Sequence, residues 1–262
     1  MQALRTAATG MAAQQMNVEV ISNNIANMNT VGYKKQRAEF ADLLYLDIER
    51  PGSQSSDTGT IVPTGVQIGA GVKAGSVYRI DTQGSPTQTG NALDLAINGA
   101  GYLQVLLPTG ETAYTRAGNL SMNAQGQVVT PDGYQVIPQI TIPQGSTNIT
   151  VSQAGQVQVT TPGATAPTVV GTLQLASFAN TAGLEATGNN LLMETSASGA
   201  PTVGVPGVNG LGTLMQGYTE ASNVDPVTEI SALIVAQRAY EMNSKVITSA
   251  DQMLSTTSQM KT

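Results

Sequence analysis

The spacing of apolar residues changes along this chain, and each change predicts a different kind of element. Near the start, Leu4, Met11, Val18 and Ile25 lie seven apart, with Ala7, Gln14, Ile21 and Met28 as the companion row. This heptad-like seam predicts a helix over 1–32. Small residues at Ala3, Ala8, Ala12 and Ala13 let a second helix approach closely. Only Arg5 and Glu19 are charged before Lys34, so the helix needs its flanks covered to persist in water. Asn29-Thr30-Val31-Gly32 is the expected end, with Gly32 as a left-handed cap.

The other extreme of the chain repeats this design. Asp225 is placed to cap a helix, Pro226 to begin it and Glu229 to sit in its first turn. Leu233, Tyr240, Ile247 and Leu254 then recur by seven, beside Ala239, Val246, Met253 and Met260. Two adjacent apolar rows form a stripe wide enough for more than one partner helix. At about 1.5 Å per residue the first helix spans roughly 40 Å and the last roughly 50 Å. Helices of similar length at both termini suggest that the ends pack together or on neighbouring copies. Simple pairing within one chain is the plainer alternative.

Between the helices the period falls to two. Val66-Gln67-Ile68, Val77-Tyr78-Arg79-Ile80, Leu93–Ile97, Tyr102–Leu107, Gln127–Thr130, Tyr134–Ile137 and Val169–Phe178 alternate and are separated by Asn-Gly, Pro-Thr-Gly and Pro-Asp-Gly turns. Short strands on Gly-containing turns predict a sandwich or barrel. Ala124-Gln125-Gly126-Gln127-Val128 is echoed by Gln153-Ala154-Gly155-Gln156-Val157, which we read as repeated hairpin chemistry. Residues 33–50, with Phe40, Leu43, Leu44 and Ile48, fit a short helix or an extended arm. Residues 51–65 form a long polar loop, and 180–213 carries little periodicity.

Composition removes whole classes of function. The chain has 262 residues, 11 % of them charged and 4 % aromatic, with no His, Cys or Trp. Without His or Cys there is no Ser-His-Asp triad, no thiolate nucleophile and no zinc site of the common ligand types. Paired carboxylates (Asp81 with Asp94, Asp42 with Asp47) stay formally open, but strand and turn positions make them ordinary solvated groups. No catalytic residue, metal site or cofactor is expected. A net charge of −6 with scattered cations excludes a nucleic-acid partner, and no phosphate loop or small-molecule site is visible. No apolar run is long enough to span a membrane. The first residues lack the apolar core of a cleaved signal, so any export is expected to use another route.

The motifs themselves are familiar. Ile21-Ser22-Asn23-Asn24-Ile25-Ala26-Asn27-Met28-Asn29-Thr30-Val31-Gly32-Tyr33-Lys34 resembles the signature of the flagellar rod and hook protein family. Its most specific positions are Asn23, Asn24, Ala26, Asn27, Asn29, Thr30, Gly32 and Tyr33. Ala96–Val105, Tyr114–Gly118 and Ala236–Lys245 are similar to the same family. Arg50-Pro51-Gly52 with Gln54, Ser55 and Ser56, followed by Pro63-Thr64-Gly65, resembles a segment of the distal-rod branch, which argues against a proximal rod or hook subunit. Met28 stands where Val is commoner, and 160–213 diverges.

This resemblance implies a discontinuous α+β chain. Residues 1–32 and 221–262 would form paired, coiled-coil-like helices of an inner tube. Residues 33–72 and about 200–220 would form a β-rich intermediate arm bearing loop 46–65, and 73–199 an outer all-β domain. The implied role is a structural subunit of the distal rod, polymerising helically into a hollow drive shaft that carries torque across the periplasm. The implied partners are further copies of itself, proximal rod and hook subunits at the ends, surrounding bushing rings and the flagellar export apparatus. Leu4, Met11, Val18, Ile21, Ile25, Met28, Leu233, Tyr240, Val246, Ile247, Met253 and Leu254 are the expected subunit-packing residues. The termini are expected to order on docking, and 51–65 to stiffen contacts between neighbours. A secreted β-rich adhesin is the remote alternative; it leaves the terminal helices without a purpose.

Overall fold

The computed structural model describes residues 2–49, 51, 64–163 and 166–260. It is α+β: one helix near each end and a β-rich middle. Helix α1 runs Gln2–Ala26 and helix α2 runs Pro226–Gln259. The chain divides into two units, one of residues 1–25, 36–78 and 225–262, the other of 26–35 and 79–224.

In the first unit, α2 begins as its sequence dictates. The Asp225 carboxylate accepts from the Val227 amide at 3.2 Å, Pro226 occupies the first turn, and Glu229 lies in that turn. Helix α1 ends at Ala26, six residues before Gly32, and 27–32 are turns. The expected cap at Gly32 is therefore corrected. Asn27 ends the helical geometry by closing a turn through its own carbonyl, 3.1 Å from the Thr30 amide. The arm that left helix and strand open is extended: Gln36–Asp42 pairs with Val72–Arg79, and Tyr45–Glu49 pairs with Val66–Gly69. Most of the 51–65 loop lies outside the described residues.

In the second unit, the strand Tyr102–Leu106 is central. It pairs with Thr112–Thr115 on one side and shares its other edge between Gln135–Ile137 and Leu175–Ser177. Strands 148–151, 156–160 and 168–172 make a separate antiparallel sheet. Leu103, Val105, Val136, Ile140, Val159, Leu173, Leu175 and Leu214 fill one core, each at most 1 % exposed. A smaller cluster stacks Tyr114 edge-on against Phe178, ring centroids 4.7 Å apart, with Tyr102 and Leu184 around them.

The sequence echo is a repeated structural device. Gly126 and Gly155 both have positive φ, +80° and +82°. The amide of each bonds back three residues at 2.9 Å, to Asn123 and Ser152. Each carbonyl then accepts from the amide of a distant buried core residue, Ile142 at 2.7 Å and Leu173 at 2.8 Å. The segment that looked patternless, 180–213, holds strands Glu185–Gly188, Leu191–Met193 and Thr202–Gly204. Asn189 and Asn190, at φ +51° and +57°, form the two-residue turn between the first two of these strands. Such a turn needs two left-handed residues, which Asn tolerates.

Candidate assembly interface

The motif near the end of α1 builds two clamps. In the first unit, Asn24 is 1 % exposed. Its amide Nδ2 donates to the Gln36 carbonyl at 2.8 Å, and its Oδ1 accepts from the Gln36 amide at 2.8 Å. The side chain thus imitates a strand partner and fixes where the arm leaves the helix. The same Nδ2 donates to Glu229 Oε2 of α2 at 3.2 Å. Farther along, a Cβ at Gly10 would lie 2.9 Å from Asn243 Nδ2. The residue numbers of both facing pairs add to 253, so α1 and α2 run antiparallel where they meet.

In the second unit, Gly32 and Lys34 are fixed by a buried charge cluster. Glu220 is 1 % exposed and receives Lys34 Nζ, the Gly84 amide at 2.9 Å and Arg116 Nε at 2.8 Å. Lys34 also donates to the Thr82 carbonyl at 2.8 Å, and Arg116 to the Gly99 carbonyl at 2.9 Å. Burial lowers the Lys34 pKa, opposed by its bond to Glu220. The Gly32 amide donates to the Glu220 carbonyl at 2.8 Å, and a Cβ at Gly32 would stand 2.7 Å from the Ala117 amide nitrogen. With φ at +71°, only glycine fits there without strain. Asn223 completes the clamp, its Oδ1 accepting from the Lys35 amide at 2.7 Å and its Nδ2 donating to the Ile80 carbonyl at 2.8 Å.

Within the motif, Asn24 and Gly32 are thus buried, and Asn27, Thr30 and Tyr33 are half-buried. Asn23, Ala26, Met28 and Asn29 are exposed. Among the proposed packing residues, Ile21 is buried, and Leu4, Met11, Val18, Ile25, Leu233 and Ile247 are half-buried. Tyr240, Val246, Met253 and Leu254 remain 41–65 % exposed. The fully buried apolar positions of the helices are small instead: Ala7, Ala13, Ala236 and Ala250 accompany Ile21. Of the rod-type loop, Pro51 is exposed and Gly65 half-buried; Gly52, Gln54, Ser55, Ser56 and Pro63 lie outside the described residues.

Large apolar side chains are left at the surface of the first unit. Val227, Val235, Met242 and Met253 of α2, and Met260 just after it, are more than 60 % exposed. On the ribbon of Tyr45–Glu49 and Val66–Gly69, Leu46 faces Ile68 across the strands, and Ile48 is 68 % exposed. A two-stranded ribbon with an uncovered apolar face is marginal in water. An open groove of about 490 Å³ lies between α1, Ile68 and Val246. The second unit, by contrast, closes over its own core.

The carboxylates considered for catalysis have structural surroundings. Asp47 accepts from Gln67 at 2.8 Å, Asp94 from Asn91 at 3.1 Å, and Asp81 lies 3.5 Å from Arg79 Nε. Among the described residues, no group of three acidic side chains could hold a metal ion. Glu220, Arg116 and Asn223 had not stood out in the sequence as functional positions. In a chain this poor in charge, a cation directly after the strand Thr112–Thr115 is the signal that could have found Arg116.

Comparison with known proteins places these features. Residues 4–34 match the family described as flagella basal body rod protein. Residues 96–159 match the D1 domain of flagellar hook proteins FlgE/F/G, and 215–260 the C-terminal family of the FlgEFG rod proteins. The chain is 69 % identical over 261 residues to the flagellar basal-body rod protein FlgG of Caulobacter vibrioides, covering the whole of both chains. Identity to FlgG is 53 % in Agrobacterium fabrum and 38 % in Bacillus subtilis, each over 97 % of both chains. With its helical ends, its motif clamps and this end-to-end likeness, the chain belongs to the flagellar basal-body rod protein family, on its FlgG branch.

Proposed function

We infer that this chain is a structural subunit of the flagellar distal rod that polymerises helically into a hollow, torque-bearing shaft. One observation carries the reading: the apolar surface left uncovered is concentrated on helix α2 and the arm ribbon, while the β unit buries its own core. A monomer gains nothing from that distribution, whereas a polymer covers it. In this reading 1–32 and 221–262 pair as a coiled-coil-like inner tube. Residues 33–72 and about 200–220 form the intermediate arm, and 73–199 the outer domain. The termini order on docking, because α1 carries only two charges and its stripe needs neighbours. The 51–65 loop stiffens contacts between copies.

Proximal rod and hook subunits would meet the two ends of the polymer, bushing rings would surround it in the periplasm, and the flagellar export apparatus would deliver the chain without a cleaved signal. The mechanism is mechanical and draws on no reacting group. Torque passes through many repeated contacts, and the buried Lys34–Glu220–Arg116 cluster keeps each β unit rigid under load. The test replaces the resident rod protein of a motile bacterium with chains carrying Ile48→Lys and Ile68→Lys. Loss of rods beyond the proximal segment, with folded protein still exported, supports the reading. Normal rods would overturn it.

A further inference from the structure

Residues 26–35, between α1 and the arm strand Gln36–Asp42, form a closed loop. Its base is shut by the two bonds of the Asn24 side chain to the Gln36 backbone, both 2.8 Å. Its body is shaped by turns of its own. The Thr30 amide donates to the Asn27 carbonyl at 3.1 Å, and the Tyr33 amide to the Thr30 carbonyl at 3.2 Å. A loop of this length with adjoining ends is an Ω-loop, a compact body that is frequently functional.

Polar contacts hold the far side of this loop in the β unit. The Gly32 amide donates to the Glu220 carbonyl, the Lys34 ammonium to the Glu220 carboxylate and the Thr82 carbonyl, and the Lys35 amide to Asn223 Oδ1. In return, the Ile80 amide donates to the Lys35 carbonyl at 2.9 Å, and Asn190 Nδ2 to the Val31 carbonyl at 2.9 Å. Neither apolar cluster of the β unit includes a residue of 26–35. The loop can leave its place without opening a core, which is the condition for a separate, low-energy opening.

The socket also stays satisfied without the loop. Glu220 keeps the Gly84 amide on Oε1 and Arg116 Nε on Oε2. The Thr82 carbonyl keeps Asn223 Nδ2 at 3.1 Å. Both acceptors of the Lys34 ammonium thus have a second donor from within 79–224. Breaking a buried ion pair is costly when it strands a charge in the interior. Here the departing cation passes to water, and the remaining carboxylate still faces Arg116.

We propose that residues 26–35 are a latch that enters and leaves the β unit as one body, with Lys34 as its bolt. Closed, the latch ties the segment after α1 and the segment before α2 to one carboxylate, since Glu220 lies shortly before Asp225, the cap of α2. Open, it frees only the segment after α1, and the β unit keeps its fold. The latch belongs to the single chain, so its failure leaves the assembly reading standing.

Native-state hydrogen exchange of the full-length soluble chain, followed residue by residue by NMR in low urea, tests this. In the unsubstituted chain, the amides of Gly32, Lys35 and Ile80 should exchange together, with a urea slope well below that of the amides of Tyr102–Leu106. Lys34→Met keeps the apolar stem and removes the ammonium. It should speed exchange at those three amides by at least about tenfold, as loss of a charge-assisted bond requires, and leave Tyr102–Leu106 unchanged. Gly32→Ala, whose Cβ would meet the Ala117 backbone, should act in the same way. Equal urea slopes for loop and strand would mean that the loop leaves only when the whole unit unfolds, and would overturn the latch. A Lys34→Met chain that speeds loop and strand alike, or neither, would overturn it too.

Discussion

At the scale of the residue, the most consequential groups are the few buried charges. Glu220 balances Lys34 and Arg116 inside the β unit. Glu220→Gln removes the only anion of that cluster and leaves two cations facing each other. We expect a loss of about 3–5 kcal/mol of unfolding free energy in urea titration. Tyr102 gives a pH dependence. Its burial, with a smaller effect of nearby Asp81, raises its phenol pKa above the usual 10.0. Above pH 10 the unfolded chain releases this proton while the folded chain keeps it, so the folded state holds more protons and stability falls as pH rises. Tyr102→Phe should flatten that decline between pH 10 and 12, by at most about 1.4 kcal/mol per pH unit. Unchanged alkaline melting curves would contradict the assignment. Gly118 is constrained by space, since a Cβ there would stand 1.7 Å from the Leu95 carbonyl oxygen. Gly118→Ala should lower stability by about 1–3 kcal/mol, read by thermal melting.

At the scale of the element, local signals and long-range bonds divide the work. The start of α2 is local: Asp225→Ala should remove about 0.5–2 kcal/mol and fray the first turn, measured by amide exchange at 227–229. The end of α1 is not local. The motif Asn-Asn-Ile-Ala-Asn looks like helix continuing into a cap, yet Asn24 is committed to the Gln36 backbone. Asn24→Asp loses the donor and sets a carboxylate beside Glu229, so it should detach the arm strand and destabilise by about 2 kcal/mol or more. The hairpin at 185–193 was legible in principle, because Asn189-Asn190 supplies the left-handed pair a two-residue turn requires. It was missed because its strands are only three and four residues long and too short to show a period.

At the scale of the whole molecule, exposed surface predicts behaviour. Amides of α2 from 248 to 259 should exchange rapidly in soluble chain and become protected in assembled rods, followed by hydrogen exchange and mass spectrometry. Equal protection in both forms would mean that the helix is complete in the monomer. Removing residues 51–65 should leave the β unit folded while lowering rod rigidity, judged from the curvature of isolated basal-body structures in electron micrographs. Unaltered rigidity would count against the stiffening role.

The α+β division, the start of α2, the turns of the β unit and the family can be read from the order of residues alone, because each depends on spacing or residue type within a few positions. A heptad row, an Asp-Pro start and a Gly turn act locally and can be read in order along the chain. Which helix positions are buried follows from the folded contacts. The large residues of the expected seams, such as Met253 and Val246, stay outside, while Ala236 and Ala250 go in, because closely approaching backbones select volume before hydrophobicity. The same holds for Glu220, whose acceptors meet donors brought from residues 34, 84 and 116. No spacing in the sequence encodes that convergence; it exists only once the strands have folded around the carboxylate.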